Sequence, residues 1–467
     1  MRHHGRGRLR QQVGLLRRQF LQGGLPLADV LTEDLAAGSL RANDVSWVDR
    51  IYSPLVTLWV FLGQVLSPDP SCRAAVARLA AHRTARGHRP CSAQTGAYCQ
   101  ARRRLPERLV ADLARRTGRA LDGGAEHGWL WKGRRVYIYD GSHASMPDTP
   151  ADQAEYPQPD TRKPGLGFPL ARLAAVFSLA SGAILDLAVG RYAGKGQSES
   201  GLFRALWGLF RPGDVVLGDR LMCAWTEMVM LKQRGVECVC RLTSHRTSDF
   251  RRGKRLGQGD HVVEWPKPPK PRSADRKAYA ALPGSLTVRE VRVLVNRAGF
   301  RSRSLVVVTT LLDAEAFTAD ELGRLYRERW NAELDLRSLK RTMQMDVLRC
   351  KTPELVRKEI WAHVLACNLV RAVLAQAAAR RGVEPRSISF KGAVQALLAF
   401  RPVIAAAGGA DAGLVGRVLD AVASHRVGDR PDRFEPRLRK RRPKHYAFLR
   451  QPRSEVKRRM AEGVRVD

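Results

Sequence analysis

The sequence predicts a mixed α/β protein with a helical region before its sheet and a basic tail after it. Three observations carry this. Residues 1–128 place Ala, Leu and Arg at helical spacing with little β-branched alternation. From Arg134 onward, short β-branched runs alternate with helical stretches. From Arg426 the chain turns strongly basic and includes the run Arg439, Lys440, Arg441, Arg442, Pro443, Lys444.

The elements follow in order. Ile51 to Leu66 is the most apolar run, but Ser53, Pro54, Gly63 and Gln64 interrupt it, so it reads as a core helix rather than a membrane span. Ser92 is a candidate N-cap for a helix running to Pro106, with Arg102, Arg103 and Arg104 in its last turns. That helix suits either a DNA groove or a solvated basic face. Residues 136–140 form a strand ending on Asp140; 173–179 and 184–189 flank Ser181-Gly182 as a hairpin. Residues 214–219 form another strand ending on an acid, Asp219, and 236–242 a further one in which Cys238 and Cys240 share a buried face. Helices are expected near 198–210 and 222–234. A β-rich insertion occupies 246–304, a strand over 305–312 returns to the core, and helices follow at 318–343 and 353–380. These readings divide the chain into an N-terminal helical DNA-binding domain (1–128), a core in two parts (129–245 and 305–380) around the insertion (246–304), and a C-terminal helical region with its basic tail (381–467). No internal repeat is found.

Composition narrows the function. The chain of 467 residues carries 81 Lys plus Arg against 45 Asp plus Glu, a net charge of +36, which favours a polyanionic partner such as nucleic acid. The eight cysteines include no Cys-x-x-Cys pair, which fits neither a disulfide scaffold nor a zinc site and suits a reducing cytoplasm. No signal-peptide pattern follows the basic start, so the expectation is a cytoplasmic, nucleoid-associated protein with no membrane role. Gly194-Lys195-Gly196-Gln197 lacks the spacing of a P-loop. Ser142 and His143 lack the elbow and the positioned base of a serine nucleophile.

Strand ends of an open α/β sheet are where ions and substrates gather, and carboxylates there suit a hard cation such as Mg²⁺. Asp140 and Asp219 are such a pair, although many strands end in Asp for turn reasons alone. A third acid stands in the helical segment 326–340. On an ideal helix Tyr326, Arg329, Glu333 and Lys340 fall within about 60° of arc, and Arg337 extends that face. Glu333 would hold an ion while Arg and Lys bind phosphate oxygens; the alternative is a solvated helix face, since Arg329 and Glu333 are an i, i+4 pair.

Taken together, Asp140-Gly141-Ser142, Gly218-Asp219-Arg220 and the Tyr-x2-Arg-x3-Glu-x6-Lys spacing from Tyr326 to Lys340 resemble the DDE transposases of bacterial insertion sequences, the IS-four group with its Tyr-Arg-Glu-Lys signature. The resemblance extends through most of 130–380 and includes Trp330 directly after the signature Arg. It implies an RNase H-like core with catalytic, metal-holding acids Asp140, Asp219 and Glu333, and DNA contacts from Tyr326, Arg329 and Lys340, to which Arg337 is added from the helix face. It also implies two Mg²⁺ ions (Mn²⁺ as a substitute), partners in the terminal inverted repeats and target DNA, and a homodimer holding both ends. The reaction implied is phosphodiester hydrolysis at the element's ends, followed by attack of the freed 3′-OH on target DNA. A catalytically inactive DNA-binding derivative and an RNase H-like metal-dependent nuclease remain as alternatives. Trp265, in the insertion, is either a packed residue or a platform for a flipped base.

Overall fold

A computed structural model describes residues 33–45, 50–194, 196–271, 275–294, 304–409, 411–428 and 448–463. The basic run 439–444 lies outside these residues. The helical start is built by well-defined caps. Ser53 caps the helix Pro54–Val65 and Ser71 caps Cys72–Thr84, each accepting a backbone N–H at its helix start. The first of these helices buries Leu55, Leu58, Phe61 and Leu62.

The expected helix after Ser92 is shorter, Gly96–Arg104, and Ser92 does not cap it; its hydroxyl accepts from the Gln94 N–H in the preceding turn. Arg102 also departs from the reading of a solvated basic face. It is buried, with its guanidinium over the rings of Phe61 and Tyr98 and an Nη atom 3.2 Å from the Cys72 sulfur. Only Arg103 and Arg104 remain on the surface, because the helix must turn one face onto the Pro54–Val65 helix to bury Tyr98 and Ala101.

The sheet has nine strands: β1 (Val136–Ser145), β2 (Leu170–Ser178), β3 (Ile184–Arg191), β4 (Val215–Gly218), β5 (Glu237–Arg241), β6 (Lys254–Gly257), β7 (Asp260–Pro266), β8 (Ser285–Leu294) and β9 (Ser304–Thr309). Their spatial order is β3-β2-β1-β4-β5-β9-β8-β7-β6. β1, β4 and β5 run parallel, and every other neighbouring pair is antiparallel. The segment between β5 and β9 therefore extends the same sheet, since β9 pairs with β5 on one side and β8 on the other.

Alternation along β1 divides the interior into two layers. Val136 and Ile138 face the layer of the long helix Pro353–Arg381 and the helix Glu107–Gly123; Tyr137 and Tyr139 face the layer of the helices Glu199–Ala205 and Trp225–Lys232. Cys238 and Cys240 lie fully buried in that second layer, and all eight thiols are free. The helix Pro353–Arg381 is long and apolar enough to cross a membrane, but 94% of its apolar window is buried inside the protein, so it is the axle of the core.

The segment expected as one helix over 318–343 is three pieces. A capping box between Thr318 and Glu321 starts Ala319–Arg327; Trp330–Arg337 follows; a π-helical turn, Ser338–Thr342, ends the run. Between the first two pieces the backbone tightens to i→i−3 bonding, with the N–H groups of Arg329, Asn331 and Ala332 donating to the carbonyls of Tyr326, Glu328 and Arg329. Such tightening and π turns recur at functional sites because they re-aim side chains. Here they fall on either side of Glu333.

Candidate active site

Asp140 and Asp219 are positioned by strand register. Val136 pairs with Val215 and Ile138 with Leu217, so continuing the parallel register by two residues sets Asp140 beside Asp219. β4 ends at Gly218 while β1 continues to Ser145 along β2, leaving the sheet open beside Asp140. Asp219 accepts the Leu221 N–H at 2.8 Å and is only partly buried. By strand parity both acids face the layer that holds the helix Trp330–Arg337, which packs through Ala332 and Leu336.

That helix brings the third acid. The Arg329 guanidinium lies 3.8 Å from the Asp140 carboxylate and 3.2 Å from that of Glu333, linking the two. Burial pushes the Asp140 carboxyl up to about 6; Arg329 and the Gly141 N–H oppose the shift, and the negative charges of Asp219 and Glu333 add to it. Asp140 thus senses both other acids. Lys340, carried past Arg337 by the π turn, donates to the Ser142 hydroxyl at 3.1 Å and the His143 carbonyl at 2.8 Å, clamping the turn onto β1. Tyr326 is nearly buried, and burial pushes its phenol up to about 12.

Arg337 is the residue the site does not gather. It stands exposed, with no ion-pair partner among the described residues. Trp265 is 4% exposed; its indole N–H donates to Glu290 at 2.9 Å and Arg246 covers its ring, so the packed alternative holds and no free base-stacking face remains. Glu199, at the start of its helix, escaped the sequence reading. Its carboxylate lies against Gly141, where an added Cβ would sit 2.5 Å from its carboxyl carbon. The signal in the sequence was the bare glycine directly after Asp140, which permits such an approach.

The donors suit a hard divalent ion: they are all carboxylate oxygens, and a guanidinium already bridges Asp140 and Glu333 as a cation between them. In this arrangement no three His, Cys, Asp or Glu side chains among the described residues converge to coordinating distance, since Arg329 stands between two of the acids. Carboxylates on the central strand β1 and just past the end of its neighbour β4, with a third on the adjacent helix beside arginine and lysine, are the donor set that phosphodiester chemistry uses.

Comparison with known proteins makes this particular. Residues 131–369 match the family described as a transposase DDE domain. The chain is 27% identical over 435 residues to the transposase InsG for insertion sequence element IS4 of Escherichia coli strain K12, covering 90% of this chain and 92% of that protein. Over 69 residues it is 35% identical to the transposase for insertion sequence element IS421 of Escherichia coli, covering 15% of this chain and 19% of that one. A structural similarity to the piggyBac transposase, from its cryo-EM synaptic complex with hairpin DNA, has a TM-score of 0.41 at 9% identity, covering 88% of this chain and 85% of that one. The chain belongs to the DDE transposase family, and it is a transposase.

Proposed function

We propose that Asp140, Asp219 and Glu333 are the catalytic acids of this transposase, set on an RNase H-like core made of β3-β2-β1-β4-β5 and its flanking helices. The observation that carries the reading is the Arg329 bridge. Acids from a strand and a helix almost 200 residues apart in sequence turn toward one cation, in register with a third acid on the neighbouring strand. Asp140, Asp219 and Glu333 would hold two Mg²⁺ ions, or Mn²⁺ in their place, supplying Lewis acids for the phosphodiester chemistry. When bound, the ions activate the attacking oxygen and stabilise the leaving one.

The protein's own groups do the rest. Arg329 leaves the carboxylates for a phosphate of the DNA end, where its planar fork can bind two oxygens. Lys340 holds β1 and the helical segment together, so Asp140 and Glu333 keep their spacing as DNA enters. Arg337 reaches outward to the backbone of the same duplex, and Tyr326, buried on the same segment, is a DNA contact only if the segment opens on binding. The DNA is the terminal inverted repeats and then the target, held by a homodimer so that two ends are cut and joined together. Water and then the 3′-OH serve as nucleophiles, and no protein–DNA bond forms.

The test uses the DNA ends of the element that carries this gene. With Mg²⁺, the wild type should nick them and join a pre-cleaved 3′-OH end to a second duplex. Asp140→Asn should bind the same DNA and do neither. Cutting without joining would indicate a nuclease instead, and cutting by Asp140→Asn would remove Asp140 from the site.

A further inference from the structure

We propose that Phe168 is a wedge that enters the target duplex and opens a base step during strand transfer, with a basic ridge beside it gripping the phosphates; the inference rests on the functional reading above. Phe168 lies at the end of the connection from β1 to β2. The register sets Ser145 opposite Leu170, and the Met146 N–H donates to the Pro169 carbonyl at 3.3 Å, so Phe168 stands just past the pairing of the two strands. Asp140 lies earlier on β1 than Ser145, so Phe168 is carried roughly 20 Å along the strand direction from the proposed catalytic acid. That is about six base pairs of a duplex laid along β1.

The ring is displayed by a braced loop rather than a loose one. The Gln158 side-chain amide donates to the carbonyls of Arg162 and Lys163, each at 3.0 Å, and accepts the Gly167 N–H at 2.9 Å. Gln153 donates to the Gly167 carbonyl at 3.1 Å and accepts the Gln158 N–H at 3.1 Å. The backbone on both sides of Phe168 is therefore held, yet Phe168 itself is 64% exposed. An unburied phenyl on a fixed backbone suits insertion between bases, where apolar side chains unstack a step and kink the duplex.

The surroundings of the ring are cationic. Arg162 and Lys163 are exposed on the same loop, with no ion-pair partner among the described residues, and Asp160 is the acid that accompanies them. Gly165, at a φ of 75°, packs on Pro452: a Cβ there would lie 3.0 Å from the proline ring. That contact brings up the helix Arg453–Ala461, on which Arg453 and Lys457 are likewise exposed and unpaired among the described residues. Two distant stretches of the chain thus form one basic ridge ending at Phe168. Arginine and lysine on such a ridge neutralise phosphates without reading sequence. A phenyl ring offers no donor or acceptor to a base edge either. The surface therefore suits a duplex whose sequence is not fixed, which in the proposed reaction is the target rather than the terminal repeat.

The test compares two reactions of the full-length chain: cleavage of an uncut element end, and joining of a pre-cleaved end to a second duplex. Phe168→Ala should lower joining to an intact target at least ~10-fold while leaving end cleavage within ~2-fold of wild type. Phe168→Leu should keep most of the joining, because leucine also serves as a wedge. Mismatches in the target, which unstack a step beforehand, should restore joining by Phe168→Ala, with the joints falling about six base pairs from them. Replacing Arg162 and Lys163 together by Ala should reduce the salt slope of target binding by about two. Equal joining by Phe168→Ala and wild type would overturn the inference and leave the three-acid site standing. So would a fall in end cleavage as large as the fall in joining, or a loss of joining that mismatches do not relieve. Failure of the wild type to join any pre-cleaved end would overturn the functional reading itself.

Discussion

Glu333 and Asp335 sit two residues apart on one short helix and have opposite fates. Asp335 is 3% exposed and gripped by two arginines: Arg371 on one oxygen, Arg386 on both at 3.0 and 3.3 Å. Arg386 also donates to the Ser178 and Leu179 carbonyls, fastening this helix to the β2–β3 turn. Glu333, about 200° round the helix, has a side chain 44% exposed and a single contact at 3.2 Å with Arg329. The same contrast separates Arg289–Asp260, a two-pronged buried pair at 2.6 and 2.8 Å, from Arg329–Asp140 at 3.8 Å. Charges that hold the fold are paired closely and enclosed. Charges at the proposed site, Arg329 with Asp140 and Glu333, are paired loosely and left reachable.

The largest effect expected is on chemistry. Asp140→Asn should lower end cleavage by about 10⁴-fold, some 5 kcal/mol of transition-state stabilisation, measured as the single-turnover rate in Mg²⁺. Asp335→Ala should act instead on folding, costing about 3–5 kcal/mol in denaturant unfolding because two buried guanidinium groups lose their partner. A loss below 1 kcal/mol there would blur the contrast.

Next in size is a pH effect at the loose end. The Asp140 carboxyl is raised from 3.8 to about 6, so its ionisation opposes folding of the metal-free protein. The stability this group favours is present below pH ~4 and lost as pH rises through about 6. Asp140→Asn should therefore stabilise the metal-free chain at pH 8 by about 1–3 kcal/mol, and the gain should vanish near pH 4. A gain that persists at pH 4 would assign it to something other than the charge. The smallest effect concerns the bridge: Arg329→Ala should tighten Mn²⁺ binding in the absence of DNA, while reducing the salt slope of DNA binding by about one.

Much of this was legible from residue patterns, for physical reasons. The β2–β3 hairpin, the buried Cys238 and Cys240 face and Asp219 just past the end of β4 rest on local alternation and turn chemistry, whereas the first strand, expected to end on Asp140, runs on to Ser145 because its second half pairs with β2. The Tyr326-to-Lys340 spacing was read as one face of one helix, whereas the segment is three helical pieces in which Tyr326 is buried and Arg337 stands apart. Its tightened joint and π turn left no mark, since neither Gly nor Pro produces them; packing against β1 does. Arg102 was misread because its burial depends on a groove lined by Phe61 and Tyr98, and on Cys350, which lies 248 residues further along the chain. Glu199 left no trace in the sequence but the bare Gly141, for a related reason. Its partner is the absence of a side chain at Gly141, 58 positions away, and a missing atom has no hydropathy.

The most direct measurement is the anomalous scattering of Mn²⁺ in crystals of the full chain with a DNA end. The account predicts density beside Asp140 with oxygens of Asp140, Asp219 and Glu333 about 2.0–2.3 Å from the ions, and Arg329 moved onto a phosphate. Density held elsewhere, or Arg329 still bridging Asp140 and Glu333 with DNA in place, would contradict it.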